Sequence, residues 1–563
     1  NVQKLMFFHM NGYPSDFGQI ECLKLAASPK FSDKRVGYLG LLVLLDENAE
    51  LLMLITNAVK MDLAPENDPV IIALALSVLG DISSPEMLRD LEPDITTLMA
   101  STDSNIAKRA ILVADRAVRK IPELAEAFAP SLPDLLASGH APSVYLAASA
   151  LLVTVCQYAP DALDAVAESA REKCAECVMK LVVHTMEVAR DPDVDVSSVP
   201  NPVLLVRLIR ALRFVVNSSD AAAKALEILT RLAARFAESS EELQRSPKAV
   251  AIGAVSYETE RSLRVLGVRF AASSLSEPAV RNQVLQVMRE LLERFMSSKE
   301  QNVRYVGLQE LRLSVRLLQG SSVQQHEKTI LECLHHADVS MRSRTVDLIY
   351  AMCSVQPAQA PRYINELLEY LPRCDPASQP TLSLKITALV ESLYHSGAGE
   401  LEKLRALLAI LRATDSRMPE RLVSLLLAML SRTSAACQRE AVSWVCSEAL
   451  AGSESLKTSP LRKHKLKQMR VAAYIVGEYG SLAGSVSVES LLEMLSDVLS
   501  AVGLDESDDP YAENAAWLGR GLHGESTAVR LNALLAVMKL ATRGEGTPMS
   551  SSSSLAIQIA REI

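Results

Sequence analysis

Residues 17–63 read FGQIECLKLAASPKFSDKRVGYLGLLVLLDENAELLMLITNAVKMDL. The stretch divides into three short apolar runs separated by polar corners. In the first, Ile20, Leu23, Leu25 and Ala26 are apolar, with Glu21 and Lys24 between them. In the second, Ser32-Asp33 caps a run carrying Val36, Leu39, Leu42, Val43 and Leu45. After the break at Asp46-Glu47-Asn48, the third carries Leu51, Leu52, Leu54, Ile55, Ala58 and Val59. Apolar residues recurring three and four apart predict amphipathic helices, and the polar corners predict their ends. Spacing alone favours the core for Ile20, Leu23 and Leu54; any that point outward would form an apolar protein-docking patch. No catalytic constellation lies in the stretch, so function has to be sought on surfaces.

The same unit recurs to the end of the chain. Leu5, Met6, Phe8 and His9 share a first helix with Lys4, ended by Asn11-Gly12 and Pro14. Residues 69–80 and 85–100 form a pair. Asp103 or Ser104 caps a helix with Ile106, Ala110, Val113 and Ala117 on one face. Pro122 and Pro142 open further helices, as proline favours a first helical position. Residues 191–202 (DPDVDVSSVPNP) form the clearest loop, and the next helix carries Val203, Val206, Leu208, Leu212 and Val215. An Arg followed three residues later by a small residue recurs at Arg304/Gly307, Arg342/Thr345, Arg470/Ala473 and Arg530/Ala533. Paired helices repeating at roughly 40 residues are the signature of HEAT/armadillo solenoids. Each hairpin needs neighbours to bury its apolar face, and the small residue lets two helices approach. The expected fold is therefore all-α, with one continuous core over 1–563 rather than the about four domains its length suggests.

Composition agrees. Hydrophobic residues make up 49% of the 563 residues but aromatics only 4%, so the core is built from helix-forming aliphatic residues. The net charge of −9 argues against non-specific nucleic-acid binding. Nine scattered cysteines, an odd number, predict free thiols in a reducing, cytosolic setting. The longest apolar runs, Val36–Leu45 and Pro69–Gly80, fall short of the about 20 residues a membrane span needs, so any membrane association is peripheral. No secretory signal opens the chain, and its first residues read as cut from something longer.

Motifs with chemical potential have plainer readings. Cys174 and Cys177 form a CxxC with only His184 near; buried helix cysteines account for them. His335-His336 point to different faces and read as a helix C-terminus favoured by the dipole. Residues 519–524 (GRGLHG) match GxGxxG, but no strand precedes them, so a corner is the better reading. Lys457, Arg462, Lys463, Lys465, Lys467 and Arg470 form one basic cluster, suited to acidic lipid headgroups or to plain solvation. Lys30, Lys34 and Arg35, with Lys24 and Lys60, form a second positive corner. No GxSxG elbow, P-loop or HExxH occurs, and the chain is not expected to be an enzyme.

The segment ECLKLAASPKFSDKRVGYLGLLVLLDENAELLMLITNAVKMDL closely resembles the N-terminal trunk of the gamma-adaptins, large subunits of clathrin adaptor complexes. PELAEAF at 122–128, DVSSVPNPVLLVRLIRALR at 195–213, NVRYVGLQ at 302–309, DVSMRSR at 338–344, VAAYIVGEYG at 471–480 and ALLAVMKLATR at 533–543 resemble further landmarks of that family, in order along the chain. The resemblance implies a curved, right-handed α-solenoid, cut at both ends. Residues 1–200 would meet Arf and the sigma chain, and 201–563 would form the C-terminal part. The hinge and ear that recruit clathrin would be absent. It implies assembly with beta-adaptin, mu and sigma chains, and recruitment by GTP-loaded Arf and phosphatidylinositol 4-phosphate. Cargo tails would carry tyrosine or dileucine signals, and the site of work would be the cytoplasmic face of the trans-Golgi network and endosomes. No cofactor is implied. Three family positions that meet the Arf switch regions match Ile20, Leu23 and Leu54, which turns them from core into a docking surface. Lys4 matches the edge of the family's lipid-binding basic residues, and Lys30, Lys34 and Arg35 are the weaker candidates beside it. The rival reading is another HEAT scaffold, such as an alpha- or delta-type adaptin, a coatomer subunit or a nuclear transport receptor.

Overall fold

The computed structural model describes residues 1–13, 15, 17–45, 52–137, 139–166, 170–187, 195–196, 199–236, 247–270, 278–318, 325–393, 399–414, 417–449, 466–482, 487–502 and 522–543. Two compact units emerge, Asn1–Glu310 and Leu311–Ile563. Every regular element among the described residues is helical, apart from an isolated bridge between Val196 and Val199.

The first unit is a two-layered stack of hairpins. It begins with α1 (Val2–Met10), α2 (Gln19–Ala26), α3 (Phe31–Leu44), α4 (Leu52–Asp62), α5 (Pro69–Ile82), α6 (Pro85–Met99) and α7 (Ser104–Lys120). Short helical turns between Pro122 and Leu135 stand where a partner helix is expected. Then come α8 (Pro142–Tyr158), α9 (Ala170–Glu187), α10 (Pro202–Val215), α11 (Ser219–Arg235), α12 (Pro247–Arg269), α13 (Pro278–Ser297) and the first part of α14 (Gln301–Leu318). Along one layer α3 packs on α5, α5 on α7, α7 on α8, α8 on α10 and α10 on α12. Along the other α4 meets α6, α9 meets α11 and α11 meets α13. Helices on both sides of residue 200 thus share one core.

In the second unit α15 (Glu327–Leu334), α16 (Val339–Val355), α17 (Ala360–Tyr370), α18 (Gln379–Leu393) and α19 (Glu400–Thr414) stack likewise, α16 on α18 and α17 on α19. They are followed by α20 (Glu420–Leu430), α21 (Ala435–Trp444), α22 (Leu466–Tyr479), α23 (Val488–Val502) and α24 (Leu522–Arg543), with α22 laid along α24.

Helix starts follow the sequence closely. Asp68, Ser84, Asp103, Asn201, Ser218 and Asp338 are N-caps whose side chains accept a backbone N–H of the first turn. Helix α3 departs from this: it begins at Phe31, so Ser32-Asp33 sits in its first turn rather than at the cap.

Two inward faces differ from the expectation. Helix α3 buries Lys34, Gly37, Tyr38, Gly40 and Leu41, and leaves Leu39 exposed. Helix α10 buries Leu204, Leu205, Leu208 and Leu212, while Val203 faces solvent. Both helices are apolar on more than one face, so hydrophobicity alone does not choose. In α3 the glycines choose, because only a face without side chains admits a backbone closely. A Cβ on Gly37 would sit 2.2 Å from Ala26 N and 2.7 Å from Cys22 O.

Helix ends obey a rule that the periodicity does not reveal. The last carbonyls of a helix lack intrahelical donors. Here long side chains from neighbouring helices reach them. Lys120 Nζ donates to Ser83 O at 2.7 Å and Arg116 to Asp81 O at 2.7 Å, at the end of α5. Arg171 and Arg269 donate to Phe214 O and Val216 O, at the end of α10. Arg235 reaches Met186 O in α9, and Arg294 reaches Phe236 O after α11. In the second unit Gln468 reaches Leu411 O and Arg412 O, in the last turn of α19, while Lys467 reaches Met418 O in the corner before α20. The recurring Arg/small motif takes part differently. Arg304 and Arg342 each reach back six residues, to Ser298 O and His336 O, and tie the corner before their own helix. Arg470 pairs with Glu420 across helices, as the sequence allowed.

Replacing Arg269 by Leu keeps most of the apolar stem but removes the donor from Val216 O. A hydrogen bond from a charged group contributes about 1.5–3 kcal/mol. The expected result is faster amide hydrogen exchange at 213–216, measured by mass spectrometry, with exchange in α5 unchanged.

Candidate docking surface

The candidate surface is built on α2 and α4, and their orientation comes from three devices. Helix α2 is only eight residues long, and its buried side chains are Cys22 and Ala26, one turn apart. That face lies directly on the glycines of α3, since a Cβ on Gly40 would meet Cys22 Sγ at 2.6 Å. Gly18 caps α2 with φ of 88°, the left-handed region where glycine carries no Cβ penalty. With the 22/26 face turned in, Ile20 turns out and is 55% exposed; Leu23 is half-buried beside it. In α4 the inward residues are Ile55, Val59, Asp62 and, just past its end, Leu63. Leu54 is therefore 59% exposed.

The third device is a buried ion pair. Lys34 Nζ donates to Asp62 Oδ2 at 2.7 Å, to Asp62 Oδ1 at 3.0 Å and to Ala26 O at 2.7 Å. Tyr38 donates its hydroxyl to Asp62 Oδ2 at 2.6 Å, and burial together with the Asp62 carboxylate pushes the phenol well above its ordinary pKa. One ammonium thus joins the end of α2 to the end of α4 through α3. This corrects the assignment of Lys34 to a membrane edge. Its charge is satisfied inside the protein, because a lysine one turn before a buried tyrosine on α3 shares that inward face. Lys4, Lys30 and Arg35 are exposed.

The surface also holds apolar residues that sequence reasoning missed. Phe17, Met53 and Met61 are exposed to more than half of their area. Met61 follows Leu54 by seven residues, two turns along the same face, which is the signal that could have found it. The exposed pair Lys24–Glu21, 2.9 Å apart, adds little stability.

Other candidates fall elsewhere. Cys174 is buried in α9, which pushes its thiol up to about 12; Cys177 is half-buried, and no metal-holding cluster is found among the described residues. His335 ends α15, and His336 Nδ1 accepts from Asp338 N at 3.0 Å. Lys457, Arg462, Lys463 and Lys465 lie outside the described residues, as do Gly519 to Gly521 of the GxGxxG match; Leu522 to Gly524 begin α24. No helix among the described residues is long and apolar enough to cross a membrane.

Comparison with known proteins adds a family. The family model of the adaptin N-terminal region matches residues 1–555. The chain belongs to the adaptin N-terminal region family. It is 32% identical to the AP-1 complex subunit gamma-1 of Arabidopsis thaliana over 96% of this chain and 56% of that one. It is 29% identical to the AP-1 complex subunit gamma of Dictyostelium discoideum, over 96% of this chain and 55% of that one. It is 30% identical to the human AP-1 complex subunit gamma-like 2, over 96% and 62%. The chain spans about half the length of the curated relatives it matches. The stacked helix pairs described above are the solenoid of this adaptin region.

Two outcomes are expected. Lys34→Ala leaves Asp62 buried and uncompensated, so destabilisation of about 3–5 kcal/mol follows, read as a lower melting temperature. Burial pushes Cys156 up to about 11, and Cys174 and Cys353 up to about 12. At pH 8 these three should stay unlabelled by iodoacetamide in the folded protein and react once it is unfolded, as peptide mapping would show.

Proposed function

We propose that this chain is the trunk of a large subunit in a heterotetrameric clathrin adaptor complex of the gamma type. Its work is vesicle-mediated protein sorting, without catalysis, on the cytoplasmic face of the trans-Golgi network and endosomes. Its partners are a beta-adaptin, a mu chain and a sigma chain. Ile20, Leu23 and Leu54 dock a GTP-loaded Arf, and Lys4, Lys30 and Arg35 stand towards anionic lipid. Cargo tails and clathrin join through the rest of the complex. The observation that carries this reading is the outward turn of Ile20 and Leu54 on helices whose inner faces are fixed by Gly37 and the Lys34–Asp62 pair.

The mechanism follows from population shift. A switch region that presents apolar side chains only in its GTP state gains contacts with Ile20 and Leu54 in that state alone. Differential affinity of this kind is what drives recruitment. Lipid and cargo contacts, each weak, then act together once the complex is held at the membrane, and linked weak sites give high avidity.

The double variant Ile20→Ser with Leu54→Ser tests the surface. Both side chains are more than half exposed, so melting should change little. Binding to GTP-form Arf, followed by calorimetry, should fall at least about tenfold, a loss of about 1.4 kcal/mol. Equal binding of the GTP and GDP forms by the parent chain would overturn the reading. Native mass spectrometry of the purified complex tests the partners. Recovery of importin cargo and Ran without sigma and mu chains would make the chain a transport receptor instead.

A further inference from the structure

A cleft of about 200 Å³ opens in the second unit between α16, the corner after α17 and the start of α18. Arg342 and Ser343 enter it from α16, Thr381 and Lys385 from α18, and Asp375 from the corner. Val346 and Leu382 form its apolar floor and are both buried. The two cations are held differently. Arg342 donates from one guanidinium amino group to His336 O at 2.8 Å and to Ala337 O at 2.7 Å, which fixes the plane of the side chain. Its other amino group lies 3.9 Å from Asp375 Oδ2, beyond hydrogen-bond reach. Lys385 pairs with Asp347, which also has Arg344 at 3.8 Å. Two cations, Arg342 and Lys385, thus line the cleft against one carboxylate, Asp375, in a chain whose net charge is −9.

We propose that this cleft binds the anionic side chain of a peptide, a carboxylate or a phosphoserine, together with an adjacent apolar residue. The fixed guanidinium offers preorganised donors of the kind that carboxylates and phosphates prefer. Lys385 adds a flexible point charge. The hydroxyls of Ser343 and Thr381 stand in solvent at the rim, where they can donate to a bound oxyanion. A volume of about 200 Å³ admits one side chain rather than a whole cofactor, and the Val346–Leu382 floor takes its apolar neighbour. Asp375 occupies the place of the ligand loosely. Its side chain is 46% exposed and lies 3.9 Å from Arg342, too far for a hydrogen bond, so an incoming anion displaces it outward. This site is independent of the docking surface on α2 and α4.

The test uses the full chain and three fluorescein-labelled peptides, Gly-Val-pSer-Leu-Gly, its Glu counterpart and its unmodified Ser counterpart, followed by fluorescence anisotropy. The phosphorylated and Glu peptides should bind and the Ser peptide should not. Lys385→Gln should weaken binding about tenfold, as loss of one charged contact does. Asp375→Asn should tighten it about threefold, because the internal competitor is gone. Arg342→Ala should abolish binding, but it also unties the corner carbonyls, so Lys385→Gln and Asp375→Asn, each checked by melting, decide the matter. The proposal fails if no peptide binds, if phosphorylated and unmodified peptides bind alike, or if a folded Lys385→Gln binds as the parent does.

Discussion

Carbonyls left over at helix ends are the constraint on which this structure depends. A solenoid of short helices has many ends, and each end carries acceptors without intrahelical donors. Water can satisfy those at the surface. Where hairpins abut, the donor has to come from the next hairpin, and a long cation is suited to it, because its stem packs on apolar surface while its head reaches the acceptor. Arg171, Arg235, Arg269 and Arg294 do this in the first unit, and in the second the neutral Gln468 donates to the last carbonyls of α19. Lys34 is the same device with a carboxylate added. It meets Ala26 O at the end of α2 and Asp62 at the end of α4. Repeat stacking is thus specified by polar contacts as well as by the apolar core.

A second constraint works through absent side chains. Three of the family landmarks contain the dipeptide Val-Gly, at Val36-Gly37, Val306-Gly307 and Val476-Gly477. In each, a Cβ on the glycine would collide with the neighbouring helix: with Ala26 N at 2.2 Å, with Phe295 Cβ at 2.9 Å and with Ala536 Cα at 2.8 Å. Gly477 and Ala536 belong to two separate landmarks, which the fold brings together as α22 and α24. The glycine sets the depth at which two helices meet, and the valine before it faces another way. These pairs are spaced far apart in sequence because each governs a different hairpin.

Much of this fold was legible beforehand, and the reason is local. The cap at Asp103 and the proline that opens α8 at Pro142 act within one turn, so the residues that cause them are adjacent. Inward faces were less legible. In α3 and α10 apolar residues cover more than one side, and the choice between Leu39 and Leu41, or Val203 and Leu204, belongs to the partner helix. Lys34 shows the same limit for charge. Its neighbours in sequence, Lys30 and Arg35, are exposed, and the carboxylate that draws it inward lies 28 residues on. The candidate surface was reached through a resemblance, since spacing alone favoured the core for Ile20 and Leu54. What turned them outward was the Cys22–Ala26 face of α2 and the Ile55–Val59 face of α4, both narrower than the apolar content of those helices suggests.

Buried charge deeper in the first unit carries the same logic further. Glu258 of α12 has a side chain 1% exposed and meets Arg210 Nε of α10 at 2.9 Å, with Arg213 beside it. Glu310 of α14, also fully buried, meets Arg264 of α12 at 2.9 Å. Such pairs add little net stability, because desolvation offsets most of the attraction. Their effect is on register. Sliding α12 by one turn against α10 or α14 would strand a carboxylate away from its guanidinium, at a cost of about 3–5 kcal/mol. Leucines would tolerate the same slip with far less loss, since one aliphatic contact replaces another. A stack built from Leu, Ala and Val has many nearly equal ways to interlock, and the buried Arg–Glu pairs single out one. At the docking surface the same part falls to Lys34–Asp62, so the placing of α2 and α4 depends on buried charge as well as on their apolar side chains.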